Sequence, residues 1–229
     1  MDNIVLKLKN VSLTLTGNAG DVEILKDISF SVDKGETVGL TGPSGSGKSS
    51  LLMLMGGLEQ ASAGEVSVLG RDLNTMNEDQ LARFRMRHFG IVFQSFHLIP
   101  TMTALENIAT PLELAGQSHA RDKARQALES VGLADRADHY PSQMSGGEQQ
   151  RTALARAAAP SPDILLADEP TGNLDEANGK TIMDLMFGLR DAHGSTLILV
   201  THDHVIASLC SKSISLRDGR LQAANLTAS

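Results

Sequence analysis

The sequence predicts an α/β fold in which a parallel sheet is flanked by helices and preceded by an antiparallel sheet. In the C-terminal half, short apolar segments such as "DILLADE" and "GSTLILVTHD" alternate with helical segments, which is typical of parallel strands. In the N-terminal third, "LKLKNVSLTL", "EILKDISFSV" and "GEVSVLG" alternate apolar and polar residues between turns, which favours antiparallel strands. The length of 229 residues suits one large domain over 1–229. Within it we expect a core with its β subdomain at 1–93 and 161–229, and a helical subdomain at 94–160.

The individual elements follow from apolar runs and their stop signals. "TVGLTG" (Thr37–Gly42) predicts a buried strand that stops at glycine, and the apolar face of "KSSLLMLMGGL" predicts a helix from Lys48. "HFGIVFQ" predicts a further strand. Ser118 is a plausible N-cap for a helix through Val131. A long helix is expected from about Glu176 to His193, ending near Gly194.

Composition excludes several classes of protein. The net charge of -7 does not favour a nucleic-acid partner. The single cysteine, Cys210, cannot form an internal disulfide, which suits a reducing compartment. The N-terminus lacks the pattern of a signal peptide, and the apolar runs are far short of the ~20 residues that a spanning helix needs. If this protein works at a membrane, we expect another chain to span it.

The segment "GPSGSGKS" matches the pattern of a phosphate-binding loop between a predicted strand and a predicted helix. Its glycines allow a tight turn that points backbone N–H groups inward, and the helix N-terminus adds positive potential. Lys48 would reach the β- and γ-phosphates, and the Ser49 hydroxyl would bind Mg²⁺. The alternative is a glycine-rich turn with a chance lysine. The candidate phosphate loop comprises Gly42, Pro43, Ser44, Gly45, Ser46, Gly47, Lys48, Ser49 and Ser50.

Polar side chains follow three of the predicted strands. Asp168 and Glu169 end "ILLADE", where the first carboxylate could hold Mg²⁺ and the second could accept a proton from the attacking water. The alternative is a pair of acids that caps a helix. His202 also follows a predicted strand and could donate a hydrogen bond to the γ-phosphate, although a structural histidine fits the residues alone at least as well. Gln94 ends another predicted strand, where a lone glutamine is usually a polar edge residue.

A second helix start suited to an anion lies about a hundred residues after the phosphate loop. In "MSGGEQQR" (144–151), a serine and two glycines open a run with no helix breaker before Pro160. The phosphate loop is already sufficient to bind one nucleotide. The second site therefore requires a separate explanation.

Taken together, "GPSGSGKS", "FQ", "MSGGEQQR", "ILLADE", "NLD" and "TH" in this order resemble the ATPase subunits of ABC transporters, a class of P-loop NTPases with a RecA-like core. The resemblance extends from about Val5 to Leu221, and "SGGE" separates this family from other P-loop proteins. "FQSFHLIPTMTALENI" and "LADEPTGNLD" look like the lipoprotein-release and macrolide-efflux branch. Within that branch, the chain is most similar to the YbbA-like ATPases that pair with large FtsX-like permeases.

The resemblance implies two copies paired head to tail, with ATP and Mg²⁺ between the phosphate loop of one copy and the signature segment of the other. It implies that the signature segment is Ser145, Gly146, Gly147 and Glu148. It implies a metal set of Ser49, Gln94 and Asp168, and catalytic roles for Glu169, His202 and Gln94. It implies a dimer seam at Asn173, Leu174 and Asp175. A permease helix would dock on the helical subdomain, so the chain is expected at the cytoplasmic face of the membrane, bound to the permease.

The adenine side departs from the family. Members usually place an aromatic ring upstream of the phosphate loop, whereas "VSLTLTGNAGDVE" has none and Leu15 occupies that place. Because stacking on an aromatic ring is worth roughly 1–3 kcal/mol, its loss predicts weak discrimination between ATP and GTP.

Three rival functions are weaker. Soluble ABC ATPases of DNA repair carry long coiled-coil insertions, and those of translation usually fuse two such domains; neither feature is present. A P-loop kinase or GTPase would not need "SGGE". A chain that binds ATP without hydrolysing it is disfavoured because Lys48, Asp168, Glu169 and His202 are all present.

Overall fold

The computed structural model describes residues 3–17 and 20–222, which form ten strands and seven α-helices. In chain order they are β1 (Ile4–Gly17), β2 (Gly20–Asp33), β3 (Thr37–Thr41), α1 (Lys48–Met55), β4 (Ala63–Val68), β5 (Arg71–Asp72), α2 (Glu78–His88), β6 (Phe89–Val92), α3 (Ala104–Leu114), α4 (Ala120–Ser130), α5 (Gly146–Ala158), β7 (Ile164–Asp168), α6 (Glu176–His193), β8 (Thr196–Val200), α7 (His204–Ser208), β9 (Lys212–Arg217) and β10 (Arg220–Leu221). The described residues divide between two compact units, the first unit within 1–85 and 196–229 and the second unit at 86–195.

The first unit contains the predicted antiparallel sheet, with strand order β2-β1-β4-β5. Its alternating pattern buries one face, on which Leu6, Leu8 and Leu25 are almost inaccessible to solvent. The sheet confirms the antiparallel prediction for the N-terminal third.

The first unit also contains the parallel strands β8, β3 and β9, with β10 pairing antiparallel at the edge. Every residue of β3 and β8 is buried, as expected for central parallel strands. A Cβ on Gly39 of β3 would lie 3.2 Å from the Ala207 Cα of α7, so glycine allows this helix to pack closely on the strand. The helix α1 begins at Lys48, as predicted.

In the second unit, β6 and β7 pair in parallel, and α3, α4 and α5 enclose a separate apolar core. That core consists mainly of alanine and leucine, such as Ala124 and Leu128, together with Ile108. Leu185 and Leu189 of α6 pack against it. The helix α6 spans the predicted 176–193 and ends at Gly194 in the left-handed conformation, as predicted.

The predicted N-cap of α4 is wrong. The helix begins one residue later, with His119 rather than Ser118 in the capping position. His119 adopts the left-handed conformation with φ 58°, and its carbonyl accepts the first helical hydrogen bond from the Lys123 N–H at 3.0 Å. This turn in the backbone starts the helix without a side-chain cap, and histidine is one of the few non-glycine residues that are enriched in this conformation.

Candidate functional site

The phosphate loop joins β3 to α1, and its shape depends on glycine. Gly42 has φ 149°, and a Cβ there would lie 2.1 Å from the carbonyl oxygen of Leu216. Gly47 caps α1 in the left-handed conformation, with φ 99°. Any other residue at Gly42 would collide with backbone, so the turn is fixed by sterics.

Most backbone N–H groups of this loop have no acceptor in the part of the chain that the structure describes. Within the described residues, those of Gly45, Gly47, Lys48, Ser49 and Ser50 donate to no acceptor. Five donors close together at a helix N-terminus attract an anion. This arrangement fits a nucleotide phosphate.

Lys48 is held over the loop. Its Nζ donates to the carbonyl oxygens of Gly42 at 3.0 Å and Pro43 at 2.9 Å, and the residue is only 7% exposed. These carbonyls keep the ammonium at the anion site. Ser46 is also buried, and its Oγ has no partner among the residues described.

His202 belongs to the same edge of the first unit as the phosphate loop. Leu40 of β3 pairs in parallel with Val200 of β8, so the segments after both strands leave the sheet side by side. The preceding Thr201 donates its N–H to the Leu40 carbonyl at 3.1 Å, and its Oγ1 accepts from the Asp203 N–H at 3.0 Å. These bonds set the direction of an exposed His202.

The second unit brings Gln94, Asp168 and Glu169 to one edge in the same way. Val92 of β6 pairs with Ala167 of β7, directly before these residues. A Cβ on Gly172 would lie 2.9 Å from Gln94 Nε2 and 3.4 Å from Glu169 Oε2. The amide and the carboxylate therefore converge on one glycine.

The Glu169 backbone is strained, with φ 44°, in a region that non-glycine residues rarely adopt. Its carbonyl accepts the N–H of Gly172 at 3.0 Å, and the buried Gln150 donates its Nε2 to the neighbouring Pro170 carbonyl at 2.7 Å. These bonds hold the turn that directs the carboxylate. Gln150 belongs to "MSGGEQQR", but its place in the sequence gives no sign of this contact.

The signature segment (Ser145–Glu148) opens α5 with a capping box. Ser145 Oγ accepts the Glu148 N–H at 3.3 Å, and Glu148 Oε2 accepts the Ser145 N–H at 2.8 Å. The S-x-x-E spacing is the sequence signal for this box. The N–H groups of Gly146 and Gly147, by contrast, donate to no described residue.

The helix α3 shows what a satisfied helix start looks like in the same unit. It too has a capping box, made by Thr103 and Glu106. Its next two N–H groups, from Ala104 and Leu105, donate to the carbonyls of His139 at 2.8 Å and Ala137 at 3.0 Å. The open donors of α5 are therefore a specific feature of that helix start.

Glu148 is fixed from two sides. Its Oε1 accepts from Arg136 Nε at 2.8 Å, in addition to the bond from the Ser145 N–H. The backbone hydrogen bond from Ser145, followed by the bond from Arg136, lowers the pKa of Glu148 to about 2. The carboxylate is therefore ionised at neutral pH. Arg136 was not singled out from the sequence.

The seam segment (Asn173–Asp175) packs against the signature segment. Asp175 caps α6 by accepting the Asn178 N–H at 2.9 Å, and hydrogen bonding from Asn178 lowers the pKa of Asp175. A Cβ on Gly147 would lie 2.9 Å from Asn178 Oδ1, and one on Gly146 would lie 3.9 Å from Leu174 Cδ2. Asn173 Nδ2 donates to the Gln94 carbonyl at 3.0 Å, which ties this segment to Gln94.

Leu15, the residue expected to face adenine, lies in β1 and is 44% exposed. It pairs with Val22 of β2, which is 56% exposed. This strand pair therefore offers an exposed apolar surface.

Within residues 3–17 and 20–222, no helix is long and apolar enough to cross a membrane.

Comparison with known proteins identifies the family. The family model described as "ABC transporter" matches residues 25–172, well over half of the chain. This chain belongs to the ABC transporter family. Its ABC transporter fold is an α/β fold with parallel and antiparallel sheets and helices, as predicted, and it is an ATP-binding subunit with ATPase activity.

The ABC transporter relatives lie in the predicted branch. The uncharacterized ABC transporter ATP-binding protein YbbA of Escherichia coli (strain K12) is 52% identical over 204 residues, which cover 88% of this chain and 90% of that protein. The lipoprotein-releasing system ATP-binding protein LolD of Treponema pallidum (strain Nichols) is 44% identical, covering 96% and 99%. The LolD of Francisella tularensis subsp. tularensis (strain FSC 198) is 43% identical, covering 97% of each.

A solved structure matches over almost the whole chain. It is the dimeric post-hydrolysis state of the ATP-binding cassette MJ0796 bound to ADP and Pi, with a TM-score of 0.91 and 39% identity, covering 98% of this chain and 100% of that one. This match and the family model confirm the predicted fold.

Proposed function

We propose that two copies of this chain pair head to tail, with each ATP held between the phosphate loop of one copy and the signature segment of the other. The observation that carries this proposal is the second set of open donors, the N–H groups of Gly146 and Gly147. One nucleotide on one copy satisfies the phosphate loop but gives these donors no acceptor. A nucleotide bound by a partner copy supplies that acceptor, so ATP would join the two copies.

The dimeric form of the MJ0796 cassette supports this arrangement, because that protein pairs in a state bound to ADP and Pi. The geometry of Ser145 agrees with it. Its Oγ already accepts the Glu148 N–H, which leaves its hydroxyl proton to donate to a phosphate oxygen.

On the ATP-binding side, Lys48 would exchange its two loop carbonyls for phosphate oxygens, and the five open N–H groups would bind the remaining oxygens. Ser49, Gln94 and Asp168 would hold Mg²⁺. Their hydroxyl, amide and carboxylate oxygens are the hard ligands that this ion prefers, so the donor set fits. When bound, Mg²⁺ would neutralise charge on the β- and γ-phosphates.

For hydrolysis, Glu169 would accept a proton from the attacking water, and the convergence of Gln94 on the same glycine supports a role in positioning that water. His202 would donate a hydrogen bond to the γ-phosphate. The seam segment, Asn173, Leu174 and Asp175, would lie at the contact between copies. Leu15 would contact one face of the adenine.

The work would be done on a membrane permease. YbbA is described as an ABC transporter ATP-binding protein and LolD as part of a lipoprotein-releasing system, and similarity to both supports an FtsX-like permease as partner. We assign the helical subdomain to 94–160 and place its permease-docking groove there. The chain would then be held at the cytoplasmic face of the membrane by its permease.

A complementation experiment tests the shared site. Lys48→Ala inactivates the phosphate loop, and Ser145→Arg blocks the signature segment, so each variant alone should lose ATPase activity. A mixed dimer keeps one intact composite site. If sites act independently, an equal mixture forms half mixed dimers with one of two sites working, which gives about a quarter of the unmutated activity.

The matched control mixes Lys48→Ala with the double variant that carries both substitutions, because no intact site can form in that pair. Recovery in the first mixture and none in the control supports head-to-tail pairing. Absence of recovery, with mixed dimers demonstrated by two affinity tags, contradicts it.

A further inference from the structure

The signature segment carries the negative charge of Glu148 at the helix start where, in the proposed dimer, it would also bind a negatively charged phosphate. Glu148 is the third residue of α5, and its carboxylate lies in the first turn beside the open N–H groups of Gly146 and Gly147. The carboxylate completes the capping box and suits the helix dipole. A phosphate that approaches the same turn is nevertheless repelled by it.

Arg136 supplies the opposite charge. Its Nε donates to Glu148 Oε1 at 2.8 Å, while Glu148 Oε2 remains on the Ser145 N–H. The Glu148 side chain is 18% exposed and that of Arg136 is 42% exposed. The pair is therefore shielded on the Glu148 side, where the carboxylate faces the helix.

The backbone around Arg136 is anchored, which keeps this guanidinium in place. The preceding Leu133 is buried in the core of the second unit, and its N–H donates to the Leu128 carbonyl at 2.8 Å. The following Ala137 and His139 accept the first two N–H groups of α3, as described above. Arg136 thus extends from a segment fixed on both sides.

The open N–H groups of Gly146 and Gly147 make the charge of Glu148 important. In α3, the chain itself fills the positions that α5 leaves open, so the acid of its capping box, Glu106, faces no incoming anion. In α5, the acid and the incoming phosphate compete for the same positive end. An ionised Glu148 is compatible with phosphate binding only if its charge is compensated.

We propose that Arg136 is a positioning residue that fixes the Glu148 carboxylate against Ser145 and cancels its charge, so that Gly146 and Gly147 can receive the phosphate of the ATP bound by the partner copy. This proposal rests on the head-to-tail arrangement proposed above. Arg136 acts through Glu148 and does not itself contact the nucleotide.

A double-mutant cycle tests the proposal in the Glu169→Gln background, in which ATP-loaded dimers are expected to persist. The readout is the ATP concentration that gives half-maximal dimer, measured by light scattering after size exclusion at a fixed protein concentration. Arg136→Gln should raise this concentration about tenfold when residue 148 is glutamate. In the Glu148→Gln background the same change should shift it less than about twofold, because no charge remains to compensate.

Two matched variants separate charge from packing. Arg136→Lys keeps the charge and should recover at least half of the loss on a logarithmic scale. Arg125→Gln removes the same charge from α4 in the same unit, where Arg125 is 63% exposed beside Asp122, and should leave dimerisation unchanged. Circular dichroism and thermal melting of each variant establish that it is folded.

An equal shift from Arg136→Gln in both backgrounds would overturn the proposal, since Arg136 would then act independently of Glu148. A shift as large from Arg125→Gln would also overturn it, by reducing the effect to net charge. If the Glu169→Gln protein forms no dimer with ATP at all, the head-to-tail arrangement itself fails. The two failures are therefore distinguishable.

Discussion

Replacing Arg156 by methionine would release the segment that carries Gln94. Arg156 lies near the end of α5, and its guanidinium donates to the carbonyls of His97 at 2.6 Å and Phe96 at 2.8 Å. Both acceptors adopt the left-handed conformation, with φ 47° for His97 and φ 58° for Phe96. Burial lowers the pKa of Arg156 below its usual value, but the guanidinium keeps its charge. One side chain therefore holds two consecutive strained residues.

The magnitude follows from these contacts. A hydrogen bond from a charged donor contributes about 1.5–3 kcal/mol, and the low end applies because the Arg156 side chain is partly exposed. Two bonds give about 3 kcal/mol. If only one of the two left-handed residues relaxes, about 1 kcal/mol is returned, so we expect a net loss of about 2 kcal/mol. For a chain of this size that corresponds to a melting temperature lower by about 4–8 °C.

The assay combines thermal melting with steady-state ATP hydrolysis. We expect Arg156→Met to lower kcat by about tenfold, because Gln94 loses its position. Arg156→Lys can keep one of the two bonds and should lose about half as much stability. Arg121→Met is the matched control, since Arg121 is 65% exposed on α4 and its contact with Glu113 is long, at 3.8 Å. If Arg156→Met behaves like this control in both melting and kcat, the reasoning is refuted.

Three further predictions concern the phosphate loop, the choice between adenine and guanine nucleotides, and pH. Gly42→Ala should abolish ATP binding, because its Cβ would collide with the Leu216 carbonyl. The control is Gly70→Ala, at a positive φ in open space. It should keep ATP binding and cost only about 1 kcal/mol of unfolding free energy, measured in urea. Nucleotide titration should give affinities for ATP and GTP within about threefold, since Leu15 cannot stack on the base; ATP held more than tenfold tighter would contradict this. The lowered pKa of Glu148 stabilises the fold above pH 4.5, and this contribution is lost as the pH falls from 4.5 to about 2. The difference in unfolding free energy between the unmutated protein and Glu148→Gln should therefore shrink in acid, and a constant difference would refute the assignment.

Residues at the ends of strands and helices were predictable from the sequence because their position follows from local pattern. "TVGLTG" placed a buried strand directly before the phosphate loop, and "ILLADE" placed Asp168 and Glu169 directly after another. The family resemblance then linked these segments, and the family model and relatives confirm that identification. The roles of the individual site residues remain predictions.

Supporting contacts between residues distant in sequence were not predictable. Arg136 bonds Glu148 twelve positions away, and Arg156 bonds Phe96 sixty positions away. No spacing rule reaches so far, because these pairs meet only after α3, α4 and α5 have packed. The N-cap of α4 was missed for a different reason. His119 starts the helix in the left-handed conformation without a side-chain cap, whereas the N-cap preference for serine assumes an extended backbone and a side-chain hydrogen bond.

The central claim is that ATP is bound between two copies of this chain. Native mass spectrometry of the Glu169→Gln protein with ATP and Mg²⁺ tests this claim most directly. The account predicts a species containing two copies and two nucleotides, which disappears when ADP replaces ATP or when Ser145→Arg is added. A single copy that carries one ATP, at concentrations that saturate the phosphate loop and with the permease present, would contradict it.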